Sequence, residues 1–111
     1  MKVHSKLGPG LLEKTYEVCL AHELQAGGLD VQCQVGLPVL YEGIKVDLGH
    51  RIGVLVEGCL VVELKASEGI APVHKSQLLS YLRLSENRLG LLINFHVDQL
   101  KEGIVRTVNH F

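Results

Sequence analysis

The apolar positions Leu12, Tyr16, Cys19, Leu20 and Leu24 recur at helical spacing until Gly27 and Gly28 stop the run. Before them, Leu-Gly-Pro-Gly at residues 7–10 predicts a turn. From residue 30 the period falls to two. Val31, Cys33 and Val35 alternate with Gln32 and Gln34, as in a half-buried strand, and Pro38 marks the next segment as an edge or second strand. A turn at Tyr41-Glu42-Gly43 leads to a short strand near Ile44 to Leu48. Arg51–Val56 and Leu60–Ala66 then read as two strands of a tight hairpin, with Gly58 supplying a positive φ. Helical period returns after Pro72, where Val73, Leu78, Leu79 and Leu82, with Tyr81, form an apolar side running to about Ser85. Residues 89–95, Leu-Gly-Leu-Leu-Ile-Asn-Phe, have the continuous apolar character of a strand buried on both faces. A last helix is predicted from Asp98 as N-cap, with Leu100, Ile104, Val105 and Val108 on one side. The order α, β meander, α, β, α predicts an α/β (α+β) architecture, a mixed sheet flanked by helices.

Composition narrows this frame. At 111 residues the chain suits a single domain, 1–111, with one core. Its 47% hydrophobic and 21% charged content is that of a soluble globular protein. No apolar run approaches the roughly 20 residues that span a bilayer, so no membrane partner is expected. Cys19, Cys33 and Cys59 are scattered and lack C-x-x-C spacing, so they are expected to be reduced core thiols in a cytoplasmic protein. A net charge of −1 gives no global pull toward nucleic acid, so any grip on phosphate must be local.

The candidate chemistry lies at the end of the hairpin. Side chains alternate along a strand, so Val61, Glu63 and Lys65 share one face and Leu60, Val62 and Leu64 the other. Opposite charges two residues apart on a core strand are either a structural ion pair or a site. On the following helix His74, Gln77 and Tyr81 share a face. The Glu63 carboxylate, the Leu64 carbonyl and the Lys65 amine can together hold Mg²⁺ with a hydrolytic water and stabilise developing phosphate charge.

Four segments, GLLEKTY (Gly10, Glu13, Tyr16), VVELKA (Glu63, Lys65), PVHKSQLLSYLRL (Gln77, Tyr81) and LGLLINF, together resemble the bacterial and archaeal GxxExxY family, a branch of the PD-(D/E)XK nuclease superfamily. The resemblance covers nearly the whole chain in the right order. It implies a restriction-endonuclease-like core and Mg²⁺- or Mn²⁺-dependent hydrolysis of nucleic acid, DNA in particular. Glu63 would then bind metal and Lys65 assist the attacking water. Gln77 and Tyr81 would order the site and substrate, and Glu13 would be the helix carboxylate. Lys75, Arg83 and Arg88, otherwise ordinary surface charges, would contact phosphates.

One departure matters most. Where the family usually reads YRxDLLVE this chain has HRIGVLVE, so the expected metal-binding Asp is Gly53. Glycine offers no ligand, and the remaining donors would hold an ion weakly. Asp47 and Glu57 are the nearest acids in sequence, and Glu57 falls roughly 13 Å along the strand at about 3.3 Å per residue. Family members also usually carry more helix before the first turn. A shortened first helix would leave apolar surface for a protein partner or a second copy of the chain to cover. Three functions stay open: a working nuclease with Glu13 or Asp47 compensating, a catalytically inactive binder of nucleic acid or of a partner, and a folded remnant. Retention of Glu13, Glu63, Lys65, Gln77 and Tyr81 together favours the first two.

Overall fold

A computed structural model describes residues 2–96 and 103–109. Helix α1 (Lys2–Leu7) and helix α2 (Glu13–Ala26) precede strand β1 (Val31–Gly36), a short β2–β3 hairpin (Val39–Tyr41 and Ile44–Val46), and strands β4 (Arg51–Val56) and β5 (Leu60–Lys65). Helix α3 (Pro72–Ser85) and strands β6 (Leu89–Asn94) and β7 (Ile104–Val108) follow. The main sheet has five strands in the order β1-β4-β5-β6-β7, and β2 pairs only with β3. β5 and β6 are parallel, from Leu60↔Leu89 to Lys65↔Asn94, and the other pairs in this sheet are antiparallel. It is a mixed sheet flanked by helices, an α+β fold consistent with a restriction-endonuclease-like core.

Each face of the sheet has its own core. Tyr16, Leu20 and Ala21 of α2 pack with Val54, Val56, Val62, Leu64 and Phe95. Leu78, Tyr81 and Leu82 of α3 pack with Ile52, Val61 and Leu92. β6 is buried from both sides, which is why its sequence shows no alternation. Helix α3 sits so close to it that a Cβ on Gly90 would lie 2.9 Å from Leu78 Cδ1.

Side chains on β4 do not alternate evenly. Val54 faces α2 but Ile52, two residues earlier, faces α3. On the neighbouring strand, pairing runs through Cys33↔Val54 and resumes at Val35↔Ile52, while Gln34 between them adopts φ 54°. Two residues apart should mean one face; here the strands turn over at Gln34 and Gly53. That local turn aims residue 53 at α2.

The structure corrects several expectations. Ile104, Val105 and Val108 belong to the edge strand β7, not a helix, while Asp98 and Leu100 lie outside the described residues. Val73 is exposed rather than on the buried side of α3, and Leu12 is the exposed N-cap of α2. All three thiols are free, but Cys33 and Cys59 are exposed rather than core, and only Cys19, half-buried, packs against the α2-side core. The β4–β5 hairpin forms as expected, although Glu57 (φ 54°) shares the left-handed conformation with Gly58 (φ 65°).

Candidate active site around Gly53, Glu63 and Tyr81

The β4–β5 hairpin brings Glu63, near the end of β5, alongside Gly53. The Gly53 N–H donates to Glu63 Oε1 at 3.2 Å. A Cβ built on Gly53 would lie 3.3 Å from Glu17 Oε2, 3.6 Å from the Val62 carbonyl oxygen and 3.8 Å from Glu63 Oε2. Two carboxylates, from α2 and β5, thus face the point where an Asp side chain would begin. Glu17 is buried and held by Gln34, whose amide nitrogen lies 2.9 and 3.0 Å from its two oxygens. The left-handed backbone at Gln34 belongs to this same local arrangement.

The site is electrostatically tense. Burial pushes the Glu63 carboxyl above the ordinary range, opposed by the Gly53 N–H and by the Lys65 charge, and Glu17 and Glu13 push it further up. Lys65 acts at a distance. Lys2–Glu23 closes at 3.3 Å, whereas no Glu63–Lys65 contact within 4.0 Å accompanies it, so Glu63 and Lys65 are not a close ion pair. Cys33 borders the same region, its thiol pushed up by burial and then by Glu17.

On the α3 side Gln77 and Tyr81 do meet. The Gln77 amide nitrogen donates to Tyr81 Oη at 3.3 Å, and His50 Nδ1 lies 3.2 Å from the same oxygen. Burial and then the Glu63 charge push the Tyr81 phenol up, opposed by the Gln77 hydrogen bond. That coupling ties the α3 group to Glu63. His74 instead closes the start of α3, where its Nδ1 accepts the Ala71 N–H at 3.1 Å.

The remaining candidates are more dispersed. Glu13 lies on the exposed first turn of α2, within electrostatic reach of Glu63. Leu64 is buried, as its place in the α2-side core requires. Lys75 and Arg83 are exposed on α3, and Arg88 is exposed just before β6. Glu57 is occupied elsewhere, with Oε1 accepting the Asp30 N–H at 3.2 Å. Asp47 is exposed after β3 and is not among the nearest contacts of a Gly53 Cβ.

Sequence reasoning missed Glu17, Gln34 and His50. Glu17 carried a usable signal, because with Leu20 and Ala21 it follows the i, i+3, i+4 stripe that α2 buries. A carboxylate on a core stripe needs partners. Gln34 and His50 gave no such signal.

The donor chemistry suits a hard dication only in part. Glu17 and Glu63 offer carboxylate oxygens facing one region, the ligand type Mg²⁺ and Mn²⁺ accept, but Gly53 supplies none. Among the described residues no group of three or more His, Cys, Asp or Glu side chains gathers closely enough to hold a metal ion.

A model of the PD-(D/E)XK nuclease superfamily matches residues 1–107. The chain belongs to that superfamily. No curated protein and no solved structure matches it. Among the described residues no helix is long and apolar enough to cross a membrane.

Proposed function

We propose that this protein is a nucleic-acid phosphodiesterase of the GxxExxY type, acting on DNA and impaired in metal binding because Gly53 stands where Asp is expected. The reading rests on one observation: Glu17 and Glu63 both face the position of a residue-53 Cβ, at 3.3 and 3.8 Å.

In this reading Glu17 and Glu63, with the Leu64 carbonyl, hold Mg²⁺ or Mn²⁺ weakly, and Glu13 adds negative potential from the helix start. The bound ion supplies a water of lowered pKa and charge stabilisation at the phosphate. Lys65 is free of any close ion pair among the described residues and can meet the phosphate charge or orient the attacking water. Gln77 fixes Tyr81, which borders the substrate side. Lys75, Arg83 and Arg88 are proposed phosphate contacts, positioning the strand without reading its sequence.

A second reading is favoured by Gly53 itself: a catalytically inactive relative that binds nucleic acid or regulates a partner. Cleavage of plasmid and single-stranded DNA in Mg²⁺ and in Mn²⁺ separates the two, using the native chain, Gly53→Asp, Glu63→Ala and Glu17→Gln. Weak native cleavage lost in Glu63→Ala and Glu17→Gln supports an impaired enzyme. Cleavage by Gly53→Asp alone supports the inactive binder. If Gly53→Asp folds and none of the four proteins cuts, the hydrolytic reading is wrong.

A further inference from the structure

Building on the nucleic-acid reading above, we propose that His50 is a substrate contact, its Nε2–H donating to a non-bridging oxygen of the bound phosphodiester. The geometry begins at the Tyr81 hydroxyl, which has one proton and two groups beside it. Gln77 donates to its oxygen at 3.3 Å, and His50 Nδ1 lies at 3.2 Å. An amide nitrogen can only donate, whereas Nδ1 of a neutral imidazole can accept. With Gln77 donating, His50 Nδ1 is the protein acceptor the structure offers the phenolic proton, and we assign the tautomer on that basis. Accepting there makes Nε2 the protonated nitrogen, since the tautomer follows the bond made by the other ring atom.

The ring is also fixed. It meets the Tyr81 ring edge-on, with centroids 5.9 Å apart at 73°. The His50 backbone is held by the Leu37 N–H, which donates to its carbonyl at 2.8 Å. Yet the side chain belongs to an exposed residue, and among the described residues Nε2 has no protein acceptor. A donor with its rotamer already set loses less entropy on meeting a ligand.

Its position supplies the substrate class. His50 lies three residues before Gly53, and its partner Tyr81 feels the Glu63 charge. Tyr81 of α3 is the group shown in contact with the ring, and it is not a carboxylate. A phosphodiester oxygen approaching Glu63 and Lys65 from this side would find the imidazole N–H as a donor. His50 and Gly53 also both lie in the segment where the chain departs from the YRxDLLVE pattern.

The test is fluorescence anisotropy with labelled short single-stranded and duplex DNA, in EDTA and over a salt series, so that metal binding plays no part. The proteins are the native chain, His50→Ala, His50→Gln and Tyr81→Phe, with melting curves for each. His50→Ala should weaken binding about tenfold, the loss of one hydrogen bond to a charged acceptor. His50→Gln, which keeps an N–H donor, should recover much of it. Tyr81→Phe, which frees the ring, should fall between. Unchanged affinity in both His50 variants while the native chain binds overturns the contact. Equal weakening in both, with a matching fall in Tm, overturns it too, because that is the mark of a structural role. If the native chain binds neither DNA even at low salt, the nucleic-acid reading fails first and this contact with it.

Discussion

The corner around Tyr16 and the site around Gly53 draw on neighbouring residues of α2, Tyr16 and Glu17, and they solve burial in opposite ways. Tyr16 is fully buried, and its hydroxyl donates to the Gly8 carbonyl at 2.7 Å while accepting the Leu11 N–H at 2.9 Å. Its ring stacks on Phe95, centroids 4.2 Å apart. One residue later, Glu17 turns a charge toward Glu63, with the Gln34 amide as its hydrogen-bond donor. The first region satisfies every group it buries. The second gathers two carboxylates around Gly53, an arrangement in which like charges disfavour each other's ionised form. The difference separates a residue that builds the fold, Tyr16, from Glu17 and Glu63, to which we assign a chemical role by proposal.

Removing Tyr16 should have the largest effect. Tyr16→Ala deletes the ring and both turn hydrogen bonds, and should cost about 3–5 kcal/mol, read as a shift of the urea midpoint. A loss below about 1 kcal/mol would mean that the corner relaxes around the cavity and that the two regions do not differ in this way.

Gly53→Asp attacks the other region. Without metal, a third carboxylate enters beside Glu17 and Glu63 and should destabilise the chain by about 1–3 kcal/mol, the cost of a buried group lacking its partner. With Mn²⁺ the loss should shrink or reverse, because the ion binds the folded state. Melting curves in EDTA and in Mn²⁺ check this. Identical curves for the variant in the two conditions would show that the three carboxylates do not share an ion.

How much of this was legible in the sequence follows from the same two regions. The β4–β5 hairpin and the buried parallel strand β6 follow from period and turn chemistry, which are local. So did the meeting of Gln77 and Tyr81, four residues apart on one helix. The surroundings of Gly53 did not, because they depend on Gln34 taking a left-handed φ that its residue type does not announce. Counting strand parity through residue 53 therefore misdirects it. The strand β7 was read as a helix for another reason. On a sheet edge its residues alternate only between exposed and half-buried, so Ile104, Val105 and Val108 give no clean period of two.

A finer cut at the first region is Tyr16→Phe, which keeps the stacked ring and removes only the hydroxyl. The Gly8 carbonyl and Leu11 N–H lose their partner, at a cost of about 1 kcal/mol. Its Tm should fall by roughly 4–8 °C for a chain of this size. No change would mean that water replaces the hydroxyl in the turn, and that Tyr16 contributes through its ring alone.

The smallest shift, and the one of opposite sign, should come from Glu63→Gln in EDTA. Glutamine can still accept the Gly53 N–H, which now lies 3.2 Å from Glu63 Oε1, but carries no charge. Burial, Glu17 and Glu13 hold the native Glu63 carboxyl above its ordinary pKa, so the folded state binds its proton more tightly than the unfolded chain does. By linkage, stability then falls as pH rises from the ordinary glutamate range through the raised folded value, and stays low above it. The variant lacks that term. It should be more stable than the native chain at neutral pH, with the gap closing as pH drops below the ordinary glutamate range, where native Glu63 is protonated in both states. Melting curves from acid to neutral pH give the answer directly. If Glu63→Gln is less stable at neutral pH, the Lys65 charge and the Gly53 N–H outweigh the burial of Glu63, and the pocket is a settled part of the fold like the corner around Tyr16.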